Sequence, residues 1–365
     1  MPRKSKDIIG QTFGKLTVVE LDHLKGNRQY YKCKCECGKE KVILKSNLLS
    51  GNTRSCGCGH KGMKKKKKID KDQMTLTDVL SVVKEEIKPK KKEVTPDNYF
   101  DTEINMAYLD CTTYKNFVGT PGIKACEARA LAEAKGKFKR PITTALMVGS
   151  YVDAYFSNEL DKFKEEHPEI ISSRGVTAGQ LKSDYQQAEI MIQRAIKEPL
   201  FMQFIAGDTQ KVFTGEIEGV PVRIKVDSID GKRITDLKTA QSITKTYYAS
   251  DLNERLDFIT NFGYTTQAAI YTEIVRQNIG ERLPFYICAI SKDKTDNIPH
   301  PRLAVIQIPD PIIDDELIKV KHEITKVWDI MQGNVEPINC GTCDFCADTL
   351  PLTRIITPDE LLAEV

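Results

Sequence analysis

Residues 226–238 of the 365-residue chain read VDSIDGKRITDLK and decide the fold of its larger part. β-forming stretches flank residues 230–232, an Asp-Gly-Lys turn signal, so the segment predicts a β-hairpin. Asp227 and Asp236 then lie on neighbouring strands and can converge. Asp236 and Lys238 are two residues apart, so both project from the same face of their strand. The hairpin thus brings two carboxylates and one ammonium group together.

These groups suit hydrolysis of a phosphodiester. Asp227 and Asp236 can hold Mg²⁺ or Mn²⁺, which polarises the phosphate and lowers the pKa of a bound water. The backbone carbonyl of Leu237 could add an oxygen ligand, while Lys238 orients the nucleophile and stabilises the developing charge. The alternative interpretation is a hairpin that carries ordinary surface charges.

The surrounding pattern predicts an α/β domain, a sheet with helices on its faces. Apolar residues recur at helical spacing before the hairpin, and a helix, a buried type of strand and another helix follow it. A G-x-x-x-x-G-K-[ST] nucleotide-binding loop is absent from the sequence. The predicted helices are 112–135, 146–158, 178–197, 264–277 and 314–331, and the predicted strands are 211–217, 220–229, 233–237 and 284–291.

The D…D-x-K spacing resembles the PD-(D/E)XK nucleases, in the exonuclease branch that includes lambda-type, RecE-type and YqaJ-type enzymes. The resemblance spans roughly residues 97–350 and implies a restriction-endonuclease-like mixed sheet flanked by helices. Gln267 and Tyr271 match the family's Q-x-x-x-Y helix and share one helical face. The resemblance gives them a role in ordering the active-site lysine, water or phosphate.

Residues 145–155 resemble the G-x-x-x-H helix of the same family, whose last position contacts the metal. Asp153 stands where the family has His, and a carboxylate remains a suitable hard ligand for Mg²⁺. The resemblance to lambda-type enzymes also implies a carboxylate ligand on the preceding strand. Glu216 is the expected residue, with Glu218 as the alternative.

Cysteines near the C-terminus predict a second metal site. Cys340, Cys343 and Cys346 follow one another at x₂ spacing, which brings three thiols round one ion or cluster. A fourth ligand, Cys126, is implied by the resemblance to AddB-type relatives, whose iron-sulfur cluster joins the two ends of the nuclease domain. The expected cofactor is a 4Fe-4S cluster, and Zn²⁺ is the alternative because four cysteines suit both.

The first 60 residues predict a small β-rich module that closes around Zn²⁺. Its five cysteines exceed the four that zinc needs, and His60 lies nearby. The segment resembles the small zinc-binding modules beside phage HNH and DNA-binding domains. The expected ligands are Cys35, Cys37, Cys56 and Cys58, with Cys33 next in order.

Charge and composition complete the domain organisation. Residues 61–92 hold twelve lysines against five acids, so residues 61–95 are expected to be a Lys-rich flexible linker, either simply solvated or attracted to phosphates. The nuclease domain is expected over residues 96–365. Without a long apolar run or a signal peptide, the sequence predicts no membrane association and a place in the bacterial host cytoplasm.

The expected function is Mg²⁺-dependent exonuclease action on duplex DNA ends, in phage or prophage recombination. The resemblance implies a single-strand annealing protein as a partner and a possible homo-oligomer. Two alternatives stay open. One is a structure- or sequence-selective endonuclease of the same fold, and the other is a non-catalytic DNA-binding protein.

Overall fold

The computed structural model describes residues 8–25, 28–50, 53–56, 93–250, 252–355 and 357–358. The chain divides into two compact units, residues 1–88 and 89–365. Most of the predicted linker lies outside the described residues. Within the described part, no helix has the length and apolar character needed to cross a membrane.

The N-terminal unit contains an antiparallel sheet in the order β1-β2-β3-β4. Side chains alternate along β3, so that Tyr31, Cys33 and Cys35 are buried and pack with Leu16 and Leu48 in a small core. The predicted β-rich module is therefore confirmed. Its elements are β1 (Thr12–Phe13), β2 (Leu16–Lys25), β3 (Arg28–Cys35), β4 (Glu40–Leu44) and helix α1 (Lys45–Leu49).

The larger unit is built on a five-stranded mixed sheet in the order β13-β10-β7-β6-β5. Neighbouring strands are antiparallel except β7 and β10, which are parallel. The predicted α/β class is confirmed. The strands are β5 (Asp208–Ile217), β6 (Val220–Ile229), β7 (Ile234–Ala240), β10 (Phe285–Ser291) and β13 (Leu303–Ile308), beside the short pairs β8 (Tyr247–Ala249) with β9 (Glu254–Leu256) and β11 (Lys294–Thr295) with β12 (Ile298–Pro299).

Helices cover both faces of this sheet. One core contains residues of α3, α4, α10 and α11, and a second contains residues of α5, α7 and α8. Alternate residues of β10 enter different cores, as a strand buried on both faces requires. The helices are α2 (Thr102–Ala107), α3 (Cys111–Val118), α4 (Glu127–Ala134), α5 (Thr144–Phe156), α6 (Leu160–Glu166), α7 (Ser183–Ile196), α8 (Pro199–Ile205), α9 (Phe258–Asn261), α10 (Tyr264–Ile279), α11 (Asp310–Gln332) and α12 (Asp344–Thr349), with 3₁₀ turns at Pro168–Ile170 and Gly175–Thr177.

The predicted helix 112–135 is wrong in its middle, where the structure has two helices. Helix α3 stops at Gly119, whose φ is +80°, and Pro121 and Gly122 follow in a turn closed by hydrogen bonds between Thr120 and Ile123. Glycine at positive φ ends a helix readily, and proline cannot continue one. Cys126 then occupies the position just before the new helix α4.

Strands β6 and β7 separate soon after their turn. Their ladder contains only Ser228–Thr235 and Ile229–Ile234. Leu109 pairs with Val222 farther along β6, donating its N–H to Pro221 and accepting from the N–H of Arg223. The hairpin is thus splayed, and its open end lies beside Asp227 and Asp236.

Candidate active site

The splayed hairpin places Asp227, Asp236 and Lys238 together. The Lys238 Nζ lies 2.6 Å from the Asp236 Oδ2. The Asp227 Oδ2 accepts a hydrogen bond from the backbone N–H of Leu237 at 2.9 Å, which holds that carboxylate against β7. The Leu237 side chain packs in the opposite core, so Asp236 and Lys238 lie together on the other face of β7. The role of the Leu237 carbonyl as a ligand stays a prediction.

Burial and mutual repulsion set the protonation behaviour of these groups. Burial raises the pKa of Asp227 well above its ordinary value, and the charges of Asp236 and Asp153 raise it further. Burial alone would lower the pKa of Lys238, but the carboxylates of Asp236 and Asp227 outweigh it and raise that pKa. The concentrated negative charge therefore keeps Lys238 protonated and favours a bound cation.

Helix α10 supplies the next layer of the site. Gln267 donates from Nε2 to the Asp236 Oδ1 at 2.6 Å, and Tyr271 donates from its hydroxyl to the backbone carbonyl of Lys225 at 3.2 Å. The predicted pair thus lies on one helical face, with Gln267 against a catalytic candidate and Tyr271 against the backbone of β6. Tyr264, at the start of the helix, places its ring 5.1 Å from the Lys238 Nζ.

Helix α5 brings Asp153 to the same region. Burial raises the pKa of Asp153, opposed by the charges of Lys225 and Lys238 and reinforced by that of Asp236. Its two carboxylate oxygens each lie 3.3 Å from the amide nitrogen of Gln210. Gln210 was not predicted as part of the site, although the hairpin of β5 and β6 could have indicated it. The two-residue turn of this hairpin fixes the register of β5 on β6, and this register places Gln210 opposite Asp227.

The same register shows that Glu216 was a wrong choice. Glu216 pairs with Pro221, six residues before Asp227 on β6, which is about 20 Å along the strand. Its side chain is exposed. The alternative, Glu218, lies in the turn itself with a φ of +48°. Neither can share an ion with Asp227, because both lie at the far end of the hairpin.

The chemistry of the remaining donors fits a hard divalent cation such as Mg²⁺ or Mn²⁺. Asp227, Asp236 and Asp153 offer carboxylate oxygens. The Asp236 Oδ2 is buried and, despite its contact with Lys238, lacks a well-aligned hydrogen bond. The carboxylate oxygens of these three acids do not all lie within 4.8 Å of one another, as the sulfur atoms of the cysteine sets do. Among the described residues only cysteine sets bring three or more ligand atoms within 4.8 Å of one another.

A family model described as "PDDEXK-like domain of unknown function (DUF3799)" matches residues 110–349. The match includes the splayed hairpin and α10. The chain belongs to this PDDEXK-like family. It is also similar to a solved protein from Eubacterium rectale named "Putative exonuclease", with 36% sequence identity and a TM-score of 0.69, over 75% of this chain and 100% of that chain. No curated protein matches the sequence.

In this PDDEXK-like chain, the four predicted C-terminal ligands come together. The sulfur atoms of Cys126, Cys340, Cys343 and Cys346 all lie within 4.8 Å of one another. The Cys346 Sγ is 3.7 Å from that of Cys126 and 3.9 Å from that of Cys340. The set joins α4 to the segment around α12. Four converging thiols suit either a 4Fe-4S cluster or Zn²⁺, and their geometry leaves both open.

In the N-terminal unit, Cys35, Cys37 and Cys56 likewise lie within 4.8 Å of one another. The Cys37 and Cys56 sulfurs are 3.2 Å apart. Cys58 and His60 lie outside the described residues. Cys33 is outside this converging set; it lies in the core and its thiol donates to the Tyr31 carbonyl. Alternation along β3 explains this, since a residue two places before Cys35 lies deeper on the same face.

Proposed function

We propose that the protein is a divalent-metal-dependent DNA nuclease and that it degrades duplex DNA from its ends. The observation that carries the proposal is the convergence of Asp227, Asp236 and Lys238 on the splayed hairpin of a PDDEXK-like chain. The exonuclease mode is supported by the similarity to the Eubacterium rectale protein named as an exonuclease. The chain's own carboxylates and ammonium group match the needs of phosphodiester hydrolysis.

The roles of the residues follow from their contacts. Asp227, Asp236 and Asp153 would hold the cation, which supplies Lewis-acid polarisation of the scissile phosphate and lowers the pKa of the attacking water. Lys238 is positively charged beside Asp236 and is placed to orient the nucleophile and to stabilise charge on the phosphate. Gln267 fixes the orientation of the Asp236 carboxylate through its 2.6 Å hydrogen bond.

Digestion of end-labelled linear duplexes with Mg²⁺ tests the proposal. The wild-type protein should release labelled nucleotides, and Asp227→Ala and Lys238→Ala should each lower the rate by at least about a hundredfold. Glu216→Ala is the matched control, because it removes an exposed carboxylate from the far end of the β5–β6 hairpin, and it should leave the rate unchanged. Full activity of either Asp227→Ala or Lys238→Ala would overturn the assignment.

The mode of cleavage needs a separate comparison. An exonuclease should degrade linear plasmid while leaving covalently closed circles intact. Equal rates on both forms would instead favour the second candidate, an endonuclease of the same fold. Binding of DNA without cleavage of either form, in the presence of Mg²⁺ or Mn²⁺, would favour the non-catalytic alternative.

The wider context rests on the resemblance to RecE-type and lambda-type enzymes. We propose that the protein processes DNA ends during phage or prophage recombination and works beside a single-strand annealing protein. A homo-oligomer is part of the same proposal. Co-purification with an annealing protein and the mass of the purified nuclease in solution test the two statements independently.

The cysteine sets complete the proposal. Cys126, Cys340, Cys343 and Cys346 would hold a 4Fe-4S cluster, with Zn²⁺ as the alternative, and Cys35, Cys37, Cys56 and Cys58 would hold Zn²⁺. An anaerobic preparation should be brown and contain iron and sulfide as well as zinc. A colourless preparation with two zinc ions per chain would assign zinc to both sites.

A further inference from the structure

Phe100 is an exposed aromatic residue in the larger unit. Its side chain is 73% exposed, whereas the adjacent Tyr99 is 6% exposed. The two rings contact edge to face, with centroids 5.1 Å apart. Single exposed apolar residues are common on protein surfaces, so a role for Phe100 depends on how the ring is held and on what lies beside it.

The ring is carried on a well-anchored segment. The Tyr99 ring lies 4.7 Å from the guanidinium carbon of Arg223, which is buried and donates hydrogen bonds to the Tyr108 carbonyl and to the Asn105 and Asp110 side chains. The Phe100 carbonyl accepts from the Asn105 side chain at 3.5 Å. Because its backbone is already held, Phe100 can bind a ligand at a small cost in conformational entropy.

Lys225 connects this ring to the candidate active site. Its Nζ lies 5.1 Å from the Phe100 centroid and 5.9 Å from the Tyr99 centroid. Lys225 precedes Asp227 by two residues on β6, so the two side chains share a face about 7 Å apart along the strand. The Lys225 charge also acts on Asp153, so an ammonium group beside an exposed ring borders the candidate active site.

We propose that Phe100 and Lys225 form a nucleotide-binding subsite, in which the ring stacks on a base near the DNA end and the ammonium contacts a neighbouring phosphate. This inference rests on the proposed function. Every base has a π-face, so an aromatic ring binds DNA without demanding a sequence. A lysine positions the backbone in the same sequence-independent way. The subsite would thus let the enzyme hold successive nucleotides as digestion proceeds.

A cycle of protein and DNA changes tests the subsite. Binding of fluorescently labelled duplexes is measured at low salt without added Mg²⁺ or Mn²⁺, with an abasic residue placed in turn at each of the four terminal positions of one strand. Phe100→Ala should weaken binding of intact DNA about tenfold. At one position, the abasic residue should weaken wild-type binding by a similar factor and leave Phe100→Ala binding unchanged, because the same contact is already lost.

Matched variants separate stacking from other effects. Phe100→Tyr should bind like the wild type and Phe100→Leu like Phe100→Ala, because only the tyrosine keeps a ring. Ile318→Ala, at a residue 66% exposed on α11, should bind like the wild type. Lys225→Ala should weaken binding of intact and abasic DNA equally and flatten the salt dependence by about one unit of slope.

The outcomes distinguish this inference from the proposed function. Equal losses on abasic DNA for wild type and Phe100→Ala at all four positions, or unchanged affinity in Phe100→Ala, would overturn the subsite while wild-type cleavage in Mg²⁺ still supports the nuclease. Failure of the wild type to cleave any DNA would instead overturn the proposed function, whatever the binding cycle shows.

Discussion

Gln210 is placed to support Asp153, the proposed metal ligand on α5. Its φ of +53° is uncommon for a residue other than glycine, and it interrupts the pairing of β5 with β6 opposite Asp227. The side chain reaches both oxygens of Asp153. Strain of this kind persists where the surrounding structure fixes it, commonly at a functional site.

We expect Gln210→Ala to weaken Mg²⁺ affinity and cleavage by about 10- to 100-fold, the usual effect of removing a partner of a metal ligand. The measurement is the dependence of the initial cleavage rate on Mg²⁺ concentration. Lys211→Ala is the control, since this neighbouring side chain is exposed and pairs with Asp208. A Mg²⁺ dependence in Gln210→Ala equal to that of the wild type would exclude the supporting role.

Among single residues, the sequence predicted those that lie near one another in the chain. Asp236 and Lys238 share a strand, and Asp227 lies across a turn of recognisable type, so period-two alternation was sufficient. Glu216 lies far from Asp227 because the turn at Glu218 pairs it with Pro221. Cysteine spacing alone does not show that Cys33 lies outside the converging set.

Helix α10 depends on the glycine that precedes it. Gly263 has a φ of +61°, and a Cβ there would lie 2.8 Å from the Thr120 Cγ2 and 3.2 Å from the Lys115 Cδ. The helix begins at the next residue and carries Gln267 to Asp236. The element is therefore positioned by a residue that tolerates both a left-handed backbone and close packing.

We expect Gly263→Ala to lower the free energy of unfolding by about 1–3 kcal/mol from backbone strain, with a further loss from the contact with Thr120. Urea unfolding followed by circular dichroism measures this loss. Gly280→Ala is the matched control at the other end of α10, because its φ is +86° but a Cβ there meets no atom within 4 Å. Equal losses in the two variants would show that close packing at Gly263 contributes nothing.

Elements with a strong period were predicted well. The strand 220–229 and the start of helix 264–277 match β6 and α10. Short elements such as α2 and α8 were missed, since six or seven residues give too little periodicity. Gly119, Pro121 and Gly122 signal the break between α3 and α4, but the apolar pattern continues on both sides of it and resembles one helix.

The cysteines of the larger unit fall into two groups: isolated buried thiols, and the four whose sulfur atoms converge. Burial raises the pKa of Cys111 to about 11 and that of Cys288 to about 12, so at pH 8 about a thousandth or less of each is the reactive thiolate. The four sulfurs of the C-terminal site converge instead, and a bound ion or cluster would protect them.

We expect iodoacetamide at pH 8 to leave all six of these cysteines unlabelled in the native protein. A strong chelator should expose Cys126, Cys340, Cys343 and Cys346, while Cys111 and Cys288 stay protected until the chain is unfolded in urea. Mass spectrometry of the peptides reports each position. Rapid labelling of the four before chelation would contradict the proposed cofactor, and the other two serve as internal controls for folding.

Long-range relations could not be predicted from local patterns. Leu109 pairs with Val222, and the guanidinium of buried Arg223 lies beneath the Tyr99 ring. In both contacts, more than a hundred residues separate the partners in the sequence. The convergence of Cys126 with the C-terminal cysteines was accessible only through the resemblance to AddB-type relatives. The segment that pairs with β6 beyond the splayed end of the hairpin is likewise distant in sequence.

The junction between Cys126 and Cys346 spans 220 positions of sequence, and this has a consequence for biosynthesis. A ribosome delivers the first thiol long before the last, and the proposed ion or cluster can bind only when all four are present. Closure of the junction would then be a late step in maturation. Supply of the inorganic partner, rather than the speed of translation, would then set how much finished protein a cell contains.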